Sequence, residues 1–302
     1  MNSNKLAIVI PYFKLSFFED TLKSLSNQTN KEFNVYIGDD ASPEDCSILL
    51  EKYKSQFLIK YKRFDSNLGG KSLVKQWERC LELIDAEQWF MILGDDDYLG
   101  NDVIENFYLH TKNYTDKSNV IRFSSILVDA FNKPISELYR HNVHEQAIDS
   151  YCRKLNGESR SSLSEHIFNI NSYKKYGFKD YKMAWGSDDR AIIDFSDLKP
   201  IYTIDSIVYV RISDLNISGK KDNIQEKIQG RLLCTKEILR DYKSIMNKEQ
   251  IKTFIALYEN LIYRYNKIKL SDVFYLLFLS QKYFGFAYTF NQFKSIFKKI
   301  KS

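Results

Sequence analysis

Glycine and proline are scarce in this 302-residue chain, at 11 and 4 residues, which excludes the low-complexity, linker-like and collagen-like classes. Cysteine is scarce too. Cys46, Cys80, Cys152 and Cys234 are irregularly spaced, with neither a zinc-ligand pattern nor a disulfide framework, so a reducing, cytosolic setting is expected. No run of about 18 uninterrupted apolar residues occurs, so no transmembrane helix is expected. The opening residues reach a short apolar run ending at Pro11 without the features of a signal peptide. Strong charge of one sign is also missing. Of the net +5, the five Lys and one Asp between Leu270 and Ser302 supply +4, and a nearly neutral body argues against a nucleic-acid binder. Internal repeats are absent.

What is present is the composition of a folded protein, 44% hydrophobic and 27% charged, long enough for one large α/β domain with an extension. Leu6 to Ile10 is continuously apolar and β-branched, as in a strand buried on both faces of a parallel sheet. Pro11 ends it, and Ser16 with Glu19 forms a capping-box pattern before a helix reaching about Asn27. Phe33 to Gly38 is a second strand leading to Asp39-Asp40, with Ser42 expected to cap a helix that has Pro43 at its first position. A third strand, Leu58 to Phe64, runs into Asn67-Leu68-Gly69-Gly70 and a helix from about Lys71 to Ile84. A fourth, Trp89 to Leu93, runs into Gly94-Asp95-Asp96-Asp97.

Strands alternating with helices in this way predict a doubly wound, mostly parallel sheet with helices on both faces, because each parallel pair needs a crossover. Ligands of such sheets bind beyond the carboxyl ends of the strands, where Pro11, Asp39, Asp40, Asn67, Asp96 and Asp97 all fall. Three consecutive carboxylates at a strand end suit a hard cation, Mg2+ or Mn2+, with a nucleotide diphosphate completing the oxygen ligands; a polar turn is the plainer alternative. Further strands are expected at Val120 to Val128 and Ile201 to Val210, and a helix after Trp185-Gly186-Ser187-Asp188-Asp189. Asp129 to Arg160 reads as irregular. His141 and His144 lack a third ligand, and His166 is either a substrate contact or a buried structural histidine. From about Gly219 the pattern becomes helical, setting a boundary between residues 1–218 and a helical region, 219–302. At its end Phe290, Phe293, Phe297 and Ile300 share a face flanked by Lys294, Lys298, Lys299 and Lys301. Such a helix can lie in an anionic membrane surface or pack on the domain.

In this order and spacing, Ile10-Pro11-Tyr12-Phe13, Asp39-Asp40-Ala41-Ser42, Asn67-Leu68-Gly69-Gly70, the acidic triplet, Tyr176-Gly177-Phe178 and Gly186-Ser187-Asp188 resemble the inverting family 2 glycosyltransferases of GT-A fold. The resemblance spans roughly Leu6 to Ser218 and implies transfer of a sugar from a nucleotide-sugar, UDP-linked, to a saccharide or lipid-linked acceptor in bacterial surface-polysaccharide synthesis. By it, Pro11, Tyr12 and Phe13 form the floor under the base, Asp39 or Asp40 contacts base and ribose, and Asn67 with Gly69 and Gly70 approaches the donor. Asp97, with Asp96, would hold the metal, and Arg211 would meet the diphosphate. The family's first acidic position is Gly94 here, so Asp95 is left as part of a turn. Asp188 aligns with the general base, and Asp189 beside it is the alternative. Competing readings are an inactive nucleotide-binding scaffold of the same fold and a sugar-phosphate nucleotidyltransferase, whose glycine-rich loop after strand one is missing: Tyr12-Phe13-Lys14-Leu15 stands there. A dinucleotide oxidoreductase is excluded by the lack of a Gly-x-Gly-x-x-Gly turn.

Overall fold

A computed structural model describes residues 6–214, 223–267 and 269–301, the last five by their backbone. The first half alternates as expected: β1 (Leu6–Tyr12), α1 (Phe18–Ser26), β2 (Phe33–Asp39), α2 (Ser47–Tyr53), β3 (Leu58–Arg63), α3 (Leu73–Leu81) and β4 (Trp89–Ile92). Then come β5 (Tyr98–Leu99), α4 (Val103–Leu109), α5 (Thr111–Tyr114), β6 (Val120–Val128), β7 (His144–Glu145) and α6 (Ala147–Leu155). β8 (His166–Asn169), α7 (Ile170–Tyr176), α8 (Ser187–Ser196) and β9 (Ile201–Arg211) follow. The C-terminal helices are α9 (Ile224–Tyr242), α10 (Lys248–Arg264), α11 (Leu270–Phe284) and α12 (Phe286–Lys301).

The sheet runs β3-β2-β1-β4-β8-β6-β9-β5, with β7 also on β9. The doubly wound parallel arrangement holds over β3-β2-β1-β4. Beyond β4 the sheet is mixed: β8 is antiparallel to both β4 and β6, while β6 and β9 are parallel. Edge strand β3 is largely exposed and carries Lys60, Lys62 and Arg63, charges that discourage edge-to-edge pairing. Side chains alternate across a strand, so β1 sends Leu6, Ile8 and Ile10 into a core with α1, α2 and α4, and Ala7 and Val9 into a second core on the other face. That second core is continuous from α3 through α6 and α8 to Cys234, Phe254 and Leu276 of the C-terminal helices. The residues around the expected boundary at Gly219 lie outside those described.

Three local expectations are corrected. α1 starts one residue later than the capping box implies, with Phe17 at its N-cap and no side-chain cap. There Phe18 is buried in the core and the Phe17 ring lies under Arg211. Ser42 does not cap α2, which begins at Ser47. Its hydroxyl is engaged instead with the Phe13 carbonyl and the Glu44 N–H, tying the loop after β2 to the end of β1. The stretch 129–160 contains α6, whose Ala147, Ile148, Tyr151 and Cys152 are buried at helical spacing. On α12, Phe290 and Phe293 remain 43% and 46% exposed while Gln292 and Ile296 face inward. Phe297, Ile300 and the lysines after them have side chains outside the described residues.

Candidate active site

Parallel register brings the strand ends together: Tyr12 pairs with Asp39 and Asp39 with Arg63, while the Leu93 N–H extends β4 by bonding the Val9 carbonyl. Asp39 is wholly buried. Its carboxylate accepts from the Ser42 N–H (2.8 Å), the Tyr61 hydroxyl (2.5 Å) and Arg63 (2.7 Å). Asp40 faces the other way and accepts from the Leu68 and Gly69 N–H groups (2.7 and 2.8 Å) and from Arg79. Asp40 thus builds the 67–70 turn. The glycines of that turn answer a packing need: a Cβ on Gly69 would lie 2.5 Å from Asp40 Oδ2, and one on Gly70 would lie 2.9 Å from Asn67 Oδ1. Asn67 accepts from the Gly70 N–H. Tyr12 departs from the expected donor floor, since its ring is fully buried against Phe18 and its hydroxyl bonds the Glu44 carbonyl. Pro11 and Phe13 keep partial exposure at the sheet edge.

The acidic triplet is more differentiated than its sequence. Asp95 is no mere turn residue, because its Oδ2 accepts from the backbone N–H groups of Phe13 (2.8 Å) and Lys14 (2.9 Å), clamping the end of β1 to the end of β4. Asp97 is buried. It accepts from the Ser164 hydroxyl and from the Arg211 N–H (2.8 Å), while its carbonyl accepts from Thr21. Burial and the neighbouring Asp96 push the Asp95 and Asp97 carboxyls up to about 7. Gly94 explains its departure from the family pattern: a Cβ there would lie 2.8 Å from Asp96 Oδ1 and 3.1 Å from Asp97 Oδ2. Those two oxygens occupy the space the missing side chain would fill.

Among the described residues no three His, Cys, Asp or Glu side chains form a complete ligand set. The pair over Gly94 fits the other arrangement open to Mg2+ or Mn2+, in which one or two carboxylates anchor a cation that phosphate oxygens complete. Arg211 is not a surface cation facing a diphosphate. Its side chain is fully buried and donates to the carbonyls of Asp96 and Asp129 (both 2.9 Å), to Asp20 (2.9 Å) and to Asn132 (2.6 Å). It is stacked on Phe17 and braces the triplet from behind.

The second acidic station opens α8. Gly186 precedes it at φ +99°, a conformation glycine tolerates best, after a 3-10 turn in which Met183 and Ala184 also hold positive φ, at 58° and 53°. Strain of this kind survives only where surrounding contacts enforce it. Of the two carboxylates, Asp189 is neutralised: Lys154 from α6 (2.5 Å) and Arg231 from α9 (2.7 Å) each bind one oxygen, holding its carboxyl below the usual range. Asp188 is half-buried and has no such ion pair among the described residues, and burial together with the Asp189 charge raises its carboxyl above the usual range. Ser72, the N-cap of α3 beyond the 67–70 turn, donates to Asp180 and so ties the strand-end loops to the segment leading to α8. His166 is buried, bonded to the Ser162 carbonyl and stacked on Phe168, with no exposed face for a substrate. Ser164, Asp20, Lys154 and Arg231 carry no signal in the sequence, since single polar residues have no periodicity; contacts far apart in the chain reveal them.

Fold and carboxylate stations together define a GT-A-type sheet with an acidic strand end, and residues 7–189 match the glycosyl transferase family 2 model; the chain belongs to that family. Its relatives include the poly(ribitol-phosphate) beta-N-acetylglucosaminyltransferase TarS of Staphylococcus aureus strains Mu50 and MW2, each 27% identical over 106 residues. That alignment covers 34% of this chain and 18% of the length of those proteins. The structure is similar to the crystal structure of S. aureus TarS 1-349 in complex with UDP-GlcNAc, with TM-score 0.66, 16% identity, 92% of this chain and 81% of that one. The complex of the same protein with UDP gives 0.62, and the longer TarS structure, of which 48% is covered, also gives 0.62.

Proposed function

We propose that this chain is an inverting glycosyltransferase that moves a sugar from a UDP-linked donor to a hydroxyl of a saccharide or lipid-linked acceptor, in surface-polysaccharide synthesis. The observation that carries the reading is the unequal treatment of the α8 pair, where Asp189 is ion-paired on both oxygens and Asp188 is left with raised proton affinity. That is the condition of a general base. Asp188 takes the acceptor hydroxyl proton as the oxygen attacks the anomeric carbon from the face opposite the nucleotide. The bond from that carbon to the phosphate oxygen breaks, and its electron pair leaves with UDP. A divalent cation held by Asp96 and Asp97 would supply Lewis-acid stabilisation of the diphosphate. Asp95 and Arg211 keep that strand end in place. Pro11 and Phe13, partly exposed at the sheet edge, are the residues nearest in kind to a base and ribose contact, while the buried Asp39 orders the loop beside them through Ser42, Tyr61 and Arg63 and Asp40 supports it through the 67–70 turn.

The UDP and UDP-GlcNAc complexes of TarS make UDP-N-acetylglucosamine the first donor to try. We place the work on the cytoplasmic side, at a membrane surface. Phe274 and Phe278 on α11 and Phe286, Phe290 and Phe293 on α12 are all exposed, with Lys282 and Lys294 among them, a pattern that suits anionic lipid. No helix among the described residues is long and apolar enough to cross a membrane. Titration with UDP in the presence and absence of Mn2+, on the wild type and Asp97→Asn, tests the donor half. Transfer by Asp188→Asn tests the acceptor half: loss of transfer with UDP binding intact is expected, and full transfer would refute the base assignment.

A further inference from the structure

The C-terminal helices read from sequence as an appendage, yet one face of α9 is built into the acceptor half of the site. Gly230 sits flush on the turn before α8: a Cβ there would lie 2.5 Å from the Lys182 carbonyl oxygen and 3.1 Å from that of Trp185. One turn on, Cys234 contacts Gly186, its thiol 3.4 Å from that carbonyl oxygen, and a Cβ on Gly186 would lie 3.0 Å from the cysteine side chain. Between them Arg231 reaches Asp189 at 2.7 Å and bonds the Tyr151 hydroxyl of α6. Residues 230, 231 and 234 share one helical face, and all three meet the segment from Lys182 to Asp189.

Resting on the reading of Asp188 as base, we infer that Arg231 of α9 is a positioning residue for transfer: with Lys154 of α6 it fixes the Asp188–Asp189 pair and sets the pH at which the pair takes up a proton. The groups facing the pair are Lys154 and Tyr151 from α6 and Arg231 and Cys234 from α9. Burial raises both the tyrosine and the cysteine, leaving them neutral, so among the described residues the charges that oppose protonation are those of Lys154 and Arg231. Without either one, the remaining cation must serve two adjacent carboxylates, the buried Asp189 and the half-buried Asp188. A proton is then retained to higher pH, most readily at Asp188, and a base that carries its proton cannot accept another.

The test follows turnover against pH in the full chain, with the most active donor from a panel of nucleotide-sugars, for wild type, Arg231→Met, Arg231→Lys and Lys154→Met. UDP titration runs in parallel. Arg231→Met should move the acid limb of the profile upward, giving a roughly tenfold loss on that side for one removed neighbouring charge, with recovery toward wild type at higher pH and unchanged UDP binding. Arg231→Lys should return most of the limb. If Arg231→Met does not fold, Lys154→Met carries the same prediction without touching α9. An unmoved limb in the methionine variants, or a loss that no pH recovers, overturns the inference. Full activity of Asp188→Asn, or no wild-type turnover with any donor, overturns instead the base reading beneath it.

Discussion

Arg211 offers the sharpest contrast between what family resemblance implies and what the packing shows. If its guanidinium meets the donor diphosphate, Arg211→Lys should weaken UDP binding and leave the fold intact. If it braces the acidic strand end, the loss should fall on stability. The guanidinium donates to four acceptors on three segments: the Asp96 carbonyl, the Asp129 carbonyl, Asn132 and Asp20. A lysine ammonium has three donors at a single point and cannot span them, so one or two acceptors would be left unmet. At about 0.5–1.5 kcal/mol for each hydrogen bond lost to these part-buried acceptors, Arg211→Lys should cost about 1–3 kcal/mol. Arg211→Met removes all four of these bonds, although Asp20 keeps the Asn132 amide and solvent, and should cost more than the lysine variant. The Arg211 N–H to Asp97 survives both changes, so the difference reports on the side chain alone. Urea unfolding gives the free energies, and UDP titration well below the transition gives the affinity. A lysine variant within about 0.5 kcal/mol of wild type, the ordinary scatter of an inconsequential substitution, but tenfold weaker for UDP, would refute the bracing role.

Asp97→Asn should abolish any gain in UDP affinity from Mn2+, read by titration with and without the metal; a gain that persists would move the cation elsewhere. Asp188→Asn should lower transfer by about 10²–10⁴-fold, the usual contribution of a general base, in an assay of released UDP. The same variant should melt higher than wild type at neutral pH. The folded chain holds the Asp188 carboxyl above its ordinary value, so its ionisation lowers stability once the pH exceeds that ordinary value, and asparagine removes the charge. By the same sign, wild-type transfer should decline on acidification at a higher pH than an ordinary carboxylate would set. Removing residues 286–302 should reduce sedimentation with vesicles containing phosphatidylglycerol more than with neutral vesicles, and undiminished binding would exclude α12 as the membrane contact.

The parallel half of the fold was legible because β1, β2 and β4 are short apolar runs ending in polar loops, and that pattern has few other solutions. β8 was not: His166 to Asn169 is four residues long, and its antiparallel place between β4 and β6 depends on partners distant in the chain. In the site, residue types at strand ends were readable and their division of labour was not. Asp39 and Asp40 are adjacent in sequence and point to different neighbours, and Tyr12 alternates into the core while Pro11 and Phe13 stay partly exposed. The Asp95 clamp on the Phe13 and Lys14 N–H groups is invisible in a run of three identical residues.

The two acidic stations differ in where their positive charge comes from, and that difference bears on the metal. At α8 the protein supplies it, with one cation for each oxygen of Asp189. At the end of β4 the largest buried cation, Arg211, sends its guanidinium to carbonyls, Asn132 and Asp20, and gives Asp97 only a backbone N–H. Arg160, whose charge also favours the ionised form of Asp97, is bonded to Glu165. Asp95 and Asp97 are held up to about 7 by burial and by Asp96, a cost that the hydrogen bonds they accept and the charges of Lys14 and Arg160 offset only in part. A divalent cation seated over Gly94 would relieve that cost, whereas a lysine or arginine placed there would relieve it permanently and fill the space a diphosphate must reach. On the proposed function, the acidic strand end is half of a site whose other half arrives with the donor.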